Sequence, residues 1–304
     1  MADTKKLRIQ ANNEWPARVV FPAEHAFQLA LRDLNVTSPI LPYPLNATED
    51  RDFHRFTASI LDGFDSLPYR PDRAFDSFWV AVDAETLRLQ IKGGPSRFPA
   101  LFTLLRSGVE VSSMLDRITS LLSNIPLQSC EYAAIRITDA FEKNDRVSDS
   151  FLNRLDHFVS PGFSRAFGSK YLPRLRGQSA NEHAGAQRQA GFLMRKVFLG
   201  EPIEMNEQPY DCPEHNRLGL YVSCVLPTMR NERFHGIVFS SYRSSAAGLK
   251  NYASDYLAAY VSYYLILAIM LLRWPDGFDR SSFDDHVLNA KKNFELLFAN
   301  QLKK

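Results

Sequence analysis

The sequence predicts a mainly α-helical protein, and three observations predict it. Apolar residues recur at spacings of three and four along much of the chain, the period of a helix with one buried face. The alternation of apolar and polar residues that is typical of strands is sparse. A hydrophobic content of 45% and a charged content of 23% over 304 residues are those of an ordinary globular protein with a sizeable core.

Residues 1–48 are rich in proline and contain few long periodic runs. We therefore expect them to form an N-terminal arm that packs on the main body, with one short helix around Glu24–Leu34. The main helical domain is then expected to cover residues 49–304.

The segment after Asp50 predicts two long helices joined by a tight turn. Both helices have an apolar stripe, and the sequence PYRP separates them. Such a pair forms an antiparallel helical hairpin. The stripes consist of Phe53, Phe56, Ile60, Leu61, Phe64 and Leu67 in the first helix and of Phe75, Phe78, Trp79 and Val82 in the second.

A further long helix is predicted over residues 101–125, ending at Pro126. The section 157–215 is interrupted by glycine, proline and serine, so we expect a loop-rich insertion there. Between positions 157 and 200 it has seven basic residues and one acid. This excess predicts an RNA-binding surface, for which the candidates are Lys170, Arg174, Arg176 and Arg188. A solvated surface whose arginine stems cover apolar side chains would look the same.

The run from Tyr256 to Leu272 has seventeen residues without a charge. Its length is at the short edge of a membrane-spanning helix. Its tyrosines are distributed along the run rather than placed at the ends, which favours a buried core helix.

The N-terminus has no apolar secretory segment, and the three cysteines are widely spaced. We therefore expect a cytoplasmic protein without a membrane partner; a membrane-attached regulator is the alternative.

The sequence TMRNERFHG, residues 228–236, is the most informative stretch for function. Arg230 and Asn231 are followed by His235 and Gly236. On a helix Asn231 and His235 share a face, whereas Arg230 lies about 100° away from Asn231. Two arrangements could bring the three side chains to one target.

In the first arrangement the motif lies at a helix start, where Pro227 ends the previous segment and Thr228 is the N-cap. In the second, two subunits related by a two-fold axis contribute their motifs to one cleft. Gly236 would allow another backbone or a substrate to approach closely.

RNA cleavage without a metal is the chemistry that suits these side chains. Histidine transfers protons near neutral pH, and arginine supplies a permanent charge that matches phosphate oxygens. We therefore name Arg230, Asn231 and His235 as the candidate catalytic residues. A purely structural role, in which Arg230 and His235 tie the helix to its neighbours, remains the alternative.

The motif RNERFHG resembles the R-N-x3-H-G signature of the HEPN superfamily, and the preceding helical pair is similar to that of its members. The resemblance implies an all-α bundle, a homodimer with a shared cleft, and a metal-independent endoribonuclease that acts in toxin–antitoxin or antiviral defence. It implies that Arg230 stabilises the phosphate, that His235 performs acid–base catalysis and that Asn231 supports it. An antitoxin or an activator could be a partner. Because some HEPN proteins are not catalytic, an inactive module that binds a protein or nucleic acid is the alternative.

Other chemistry has little support in the sequence. Cys212 and His215 have the spacing of a zinc-ligand pair, and Cys224 follows, but a second pair is missing from the sequence. The sequence contains no P-loop, dinucleotide-binding or nucleophile-elbow motif. We therefore expect neither a metal nor a cofactor.

Overall fold

The structure is a computed structural model that describes residues 4–89, 97–176, 179–234 and 241–302. Most of these residues are helical, which confirms the predicted mainly α class. The α-helices are α1 (Thr4–Asn13), α2 (Pro22–Asp33), α3 (Arg51–Asp65), α4 (Pro71–Arg88), α5 (Arg97–Ser107), α6 (Val109–Thr119), α7 (Leu127–Lys143), α8 (Arg146–Phe158), α9 (Phe163–Leu175), α10 (Ala180–Leu199), α11 (Glu214–Leu220), α12 (Leu226–Phe234), α13 (Leu249–Arg273) and α14 (Phe283–Leu302). A π-helical turn (Tyr221–Val225) joins α11 to α12, and short 3-10 turns lie at Ser120–Asn124, Ser241–Arg243, Pro275–Gly277 and Arg280–Ser282. Strands β1 (Ile203–Met205) and β2 (Gln208–Tyr210) form an antiparallel hairpin.

Helix α13 is the centre of the fold. It packs against α4, α14 and α6, and every residue from Tyr252 to Leu271 is buried. Within the described residues it is the one helix long and apolar enough to cross a membrane, and 94% of its apolar window is buried inside the protein. Burial on all sides explains why its sequence has no polar face, as expected for a core helix.

The tyrosines of α13 attach other segments to this core. Tyr260 donates a hydrogen bond to the carbonyl of Pro39 at 2.6 Å, and the Tyr43 amide donates to the Tyr263 hydroxyl at 2.6 Å. Ring contacts add to these bonds, since Phe27 of α2 stacks on Tyr252 with 4.1 Å between ring centres. Because each buried hydroxyl needs a partner, these tyrosines fix the path of the N-terminal segment.

The predicted helical hairpin is confirmed as α3 and α4. The two helices come into close contact at Gly63, where an added Cβ would lie 2.1 Å from a ring carbon of Phe78. The N-terminal helix expected at Glu24–Leu34 is confirmed as α2, which begins two residues earlier. Helix α1 was not predicted, because its sequence has no apolar stripe and only Thr4 is buried.

Two predictions of local structure are wrong. The long helix over residues 101–125 is divided into α5, α6 and a 3-10 turn, since Gly108 is extended and caps the start of α6. The section 157–215 is not loop-rich: it contains α9 and α10, followed by the β-hairpin. Asn206 and Glu207 form the hairpin turn with φ of 51° and 62°, the left-handed pair that a two-residue turn requires.

Candidate functional site

Helix α12 carries the RNERF part of the motif, and it continues the preceding helix instead of starting a new one. The Leu226 amide donates to the carbonyl of Tyr221, five residues earlier, which defines the π-helical turn. This wider turn makes room for the ring of Pro227, which has no amide hydrogen to donate. The prediction that Pro227 ends a segment is therefore wrong.

Thr228 is not an N-cap either. Its hydroxyl donates to the carbonyl of Cys224 at 3.0 Å, one turn back along the same helix. The first of the two arrangements considered for the motif, a helix start at Thr228, is excluded by this geometry.

Arg230 and Asn231 lie next to each other in the middle of α12. Arg230 is half-buried and donates a hydrogen bond from Nη1 to Oδ1 of Asn231 at 3.3 Å. Its guanidinium also lies over the ring of Phe234, 4.3 Å from the centre. Asn231 is exposed, and 61% of Phe234 is exposed as well. These contacts hold the guanidinium at the surface and leave other N–H donors for a ligand.

Glu232 and Arg233 point the other way and anchor α12 to the core. Glu232 is buried and forms an ion pair with Arg136 of α7. Arg233 donates to the carbonyl of Asp72 at 2.7 Å and to a carboxylate oxygen of Asp255 at 2.9 Å. The helix is thus held by α4, α7 and α13 at the same time.

Three carboxylates surround this anchor. Arg233 contacts Asp76 at 3.4 Å in addition to Asp255, while Asp72 accepts two hydrogen bonds from Arg70 at 2.9 and 2.7 Å. Burial raises the pKa of Asp76 to about 6, against the opposing charge of Arg233. Burial likewise raises the pKa of Asp255, although Arg233 opposes it. The group carries more acids than bases, which makes each of its arginines hard to replace.

A small cavity lies on the buried side of α12, between that helix, α7 and α13. Its volume is about 160 Å³, enough for several water molecules. Its lining is mainly polar and includes Gln128, Tyr132, Glu232, Asn251 and Ser254. Polar side chains therefore lie next to the motif helix on this side.

His235 and Gly236, the last two residues of the motif, lie outside the described residues. The structure thus gives the positions of two of the three predicted catalytic residues, Arg230 and Asn231. It brings these two together through their direct hydrogen bond.

The four predicted RNA-binding residues lie on or next to α9 and α10. Arg176 forms an ion pair with Glu142, and Arg174 donates to Gln189 at 3.4 Å. Lys170 contacts the ring of Tyr171, and Arg188 lines a cavity of about 550 Å³ together with Glu131 and Lys250. In the described part of the chain, no hydrogen bond, ion pair or ring contact joins any of the four to Arg230 or Asn231.

The cysteines are buried in the fold. Cys212 donates to the carbonyl of Phe158 at 3.4 Å. Burial raises the pKa of Cys212 to about 12 and that of Cys224 to about 11, so both thiols are protonated at neutral pH. Among the described residues, no group of three or more His, Cys, Asp and Glu side chains has the arrangement to hold a metal ion.

Sequence reasoning missed the role of Arg233. Its acidic partners Asp72 and Asp76 lie more than 150 positions earlier in the chain, so spacing gives no signal for the contact. The nearer partner, Asp255, is the one acid within a long apolar stretch, and a buried charge of that kind implies a buried partner.

Comparison of the chain with protein-family models, with curated proteins and with solved structures gives no match.

Proposed function

We propose that the protein is a metal-independent endoribonuclease of the HEPN type, with Arg230, Asn231 and His235 as its catalytic residues. The observation that supports this most is the division within α12. The side chains of Glu232 and Arg233 are 9% and 16% exposed and form ion pairs with acids and bases of other helices. The adjacent Asn231 is exposed and contacts the half-buried Arg230, which forms no ion pair with a described residue. A rigidly held helix that presents an arginine and an amide to solvent is suited to bind a phosphate.

The reaction needs no group beyond RNA and these side chains. A base removes the proton of a ribose 2′-hydroxyl, and the 2′-oxygen attacks the neighbouring phosphorus. The bond from phosphorus to the 5′-oxygen breaks, and an acid protonates the leaving oxygen. The products are a 2′,3′-cyclic phosphate and a 5′-hydroxyl. His235 is the group that exchanges protons near neutral pH, and Arg230 stabilises the charge that develops on the phosphate oxygens.

A second copy of the chain is expected to complete the site. One imidazole cannot serve as base and acid at the same moment, whereas two motifs that meet at a two-fold axis supply two imidazoles. A His235→Ala chain co-expressed with the wild-type chain would then form mixed dimers that contain a single imidazole, and these should lose most of the activity.

RNA cleavage in the presence of EDTA tests the proposal. We expect the wild-type protein to cut a labelled RNA and to leave 2′,3′-cyclic phosphate ends. His235→Ala should be slower by about 100-fold or more. The control is His183→Ala, which changes an exposed histidine at the start of α10 and should leave the rate unchanged.

Two results would contradict the proposal. A His235→Ala protein that cuts as fast as the wild type would remove the histidine from the mechanism. A folded wild-type protein that leaves RNA intact but binds it would instead support the inactive, nucleic-acid-binding module.

A further inference from the structure

A groove at the N-terminal end of the chain contains three arginines and an exposed tryptophan. It lies between α1, the segment that leads to α2, and the 3-10 turn Ser241–Arg243, and its volume is about 660 Å³. Arg8, Arg18 and Arg243 line it together with Trp15. A volume of this size is typical of pockets that hold small organic ligands.

The groove carries a net positive charge. Arg8, Arg18 and Arg243 are all exposed, and none of them forms an ion pair with any residue that the structure describes. The acid in the lining, Glu24, is only 6% exposed, and its carboxylate accepts a hydrogen bond from the Phe21 amide at 3.0 Å. Three guanidinium groups without acidic partners favour a polyanionic ligand.

Trp15 is the aromatic part of this surface. Its exposed fraction is 81%, whereas Trp79 in the core is 2% exposed. A large apolar ring left in solvent beside cationic groups provides a face on which a nucleobase can stack.

Aromatic neighbours hold the arginines in place. The Arg18 guanidinium lies over the ring of Tyr69 at 4.9 Å, and that of Arg243 lies over Phe21 at 5.6 Å. Arg8 donates one hydrogen bond to the carbonyl of Arg243 at 3.3 Å, which connects α1 to the 3-10 turn. Because these contacts use few of the five N–H donors of each arginine, the rest can bind phosphate oxygens.

The groove is also connected to the motif helix. Tyr242, next to Arg243, donates to a carboxylate oxygen of Asp255 at 2.6 Å. The other oxygen of Asp255 accepts from Arg233 of α12. An unbroken series of contacts thus links the wall of the groove to the helix that carries Arg230.

We propose that this groove binds an unpaired segment of single-stranded RNA, with one base stacked on Trp15 and phosphates bound by Arg8, Arg18 and Arg243. This inference rests on the proposed function and specifies its substrate class. Bases in a duplex are stacked on each other, so their faces are not available to Trp15. The protein should therefore prefer single-stranded over double-stranded RNA.

The test separates binding from cleavage by using the full-length His235→Ala protein, which is expected not to cut. Fluorescence anisotropy measures its affinity for a labelled single-stranded 12-nucleotide RNA and for a duplex with the same number of phosphates. We expect Trp15→Ala to weaken single-strand binding by about 10-fold, the effect of one lost stacking contact. Arg243→Ala should weaken binding and lower the slope of log K against log salt by about one.

Two further variants sharpen the test. Trp15→Phe keeps an aromatic face and should retain most of the affinity, but it should lose the quenching of tryptophan fluorescence that RNA causes. Arg146→Ala changes an exposed arginine at the start of α8 and is expected to bind RNA normally. Circular dichroism checks that each variant is folded.

Equal affinity of the Trp15→Ala and parent proteins would overturn the proposal, as would equal affinity for single-stranded and double-stranded RNA. The proposed function can fail independently of this inference. A wild-type protein that binds single-stranded RNA through Trp15 but never cuts it would support the binding groove and contradict the proposed nuclease activity.

Discussion

Arg230 and Arg233 stand three positions apart on one helix, yet their surroundings differ in nearly every respect. The Arg233 side chain is 16% exposed and contacts Asp72, Asp76 and Asp255. Arg230 lies in the middle of the helix and is half-buried, and its contacts are the side-chain amide of its neighbour Asn231 and an exposed ring. Residue type and position in a motif therefore do not by themselves assign a role to an arginine. The groups that contact its guanidinium assign that role.

The physical reason is the cost of burying charge. A buried carboxylate needs a permanent cation nearby, so Arg233 is expected to contribute strongly to the stability of the fold. A surface arginine without an acidic partner adds little to stability and is free to bind an anion. One helix can therefore hold its position through one arginine and offer the other to a substrate.

The largest effect on stability is expected for Arg233→Met. This change removes the cation and leaves Asp255 and Asp76 buried without it, which should lower the free energy of unfolding by about 3–5 kcal/mol. The matched variant Arg230→Met should lower it by no more than about 1 kcal/mol, since it loses an exposed ring contact and one long, exposed hydrogen bond to Asn231. Urea denaturation of both proteins measures the difference. Similar losses for the two variants would invalidate the comparison.

Periodicity was enough to predict the elements whose stability depends on an apolar stripe. It identified α3, α4 and the buried helix α13, because each shows its packing in the local sequence. It failed at Gly108 and at the π-helical turn before Pro227, where the chain changes its hydrogen-bond pattern without losing apolar residues.

The site was predicted only in part for a similar reason. The motif sequence indicated Arg230 and Asn231, which the structure places in contact. It could not indicate that Arg233 pairs with distant acids, because that contact depends on how α12 packs against α4 and α13. The groove around Trp15 combines residues that are far apart in the chain, such as Arg8 and Arg243, and has no local signature.

A smaller effect is expected for Asp76→Asn, and it depends on pH. The folded-state pKa of Asp76 is about 6, above its ordinary value of 3.8, so the folded protein binds this proton more tightly than the unfolded chain. Protonation therefore stabilises the fold: the contribution is full below about pH 4 and is lost as the pH rises through 6. An asparagine at position 76 can still accept a hydrogen bond from Arg233 but does not titrate. The free energy of unfolding that the wild type loses between about pH 4 and 6 should therefore be smaller in the variant, by on the order of 1–3 kcal/mol.

Urea denaturation at several pH values measures this difference, and Asp145→Asn provides a control of opposite sign. Asp145 caps α8 by accepting from the Ser148 amide, and this bond holds the pKa of its carboxyl below the ordinary value. The contribution of Asp145 to the free energy of unfolding is present above its ordinary pKa and is lost as the pH falls. An Asp76→Asn profile parallel to that of the wild type would show that Asp76 does not titrate in this range.

The division of roles within α12 is tested most directly with the Arg230→Ala protein, by measuring its stability and its RNA cleavage on the same preparation. Thermal unfolding should give the wild-type midpoint to within a few degrees, while RNA cleavage should fall by about 100-fold or more because the charge that stabilises the phosphate is gone. An Arg230→Ala protein that remains folded and cuts RNA at the wild-type rate would contradict the account.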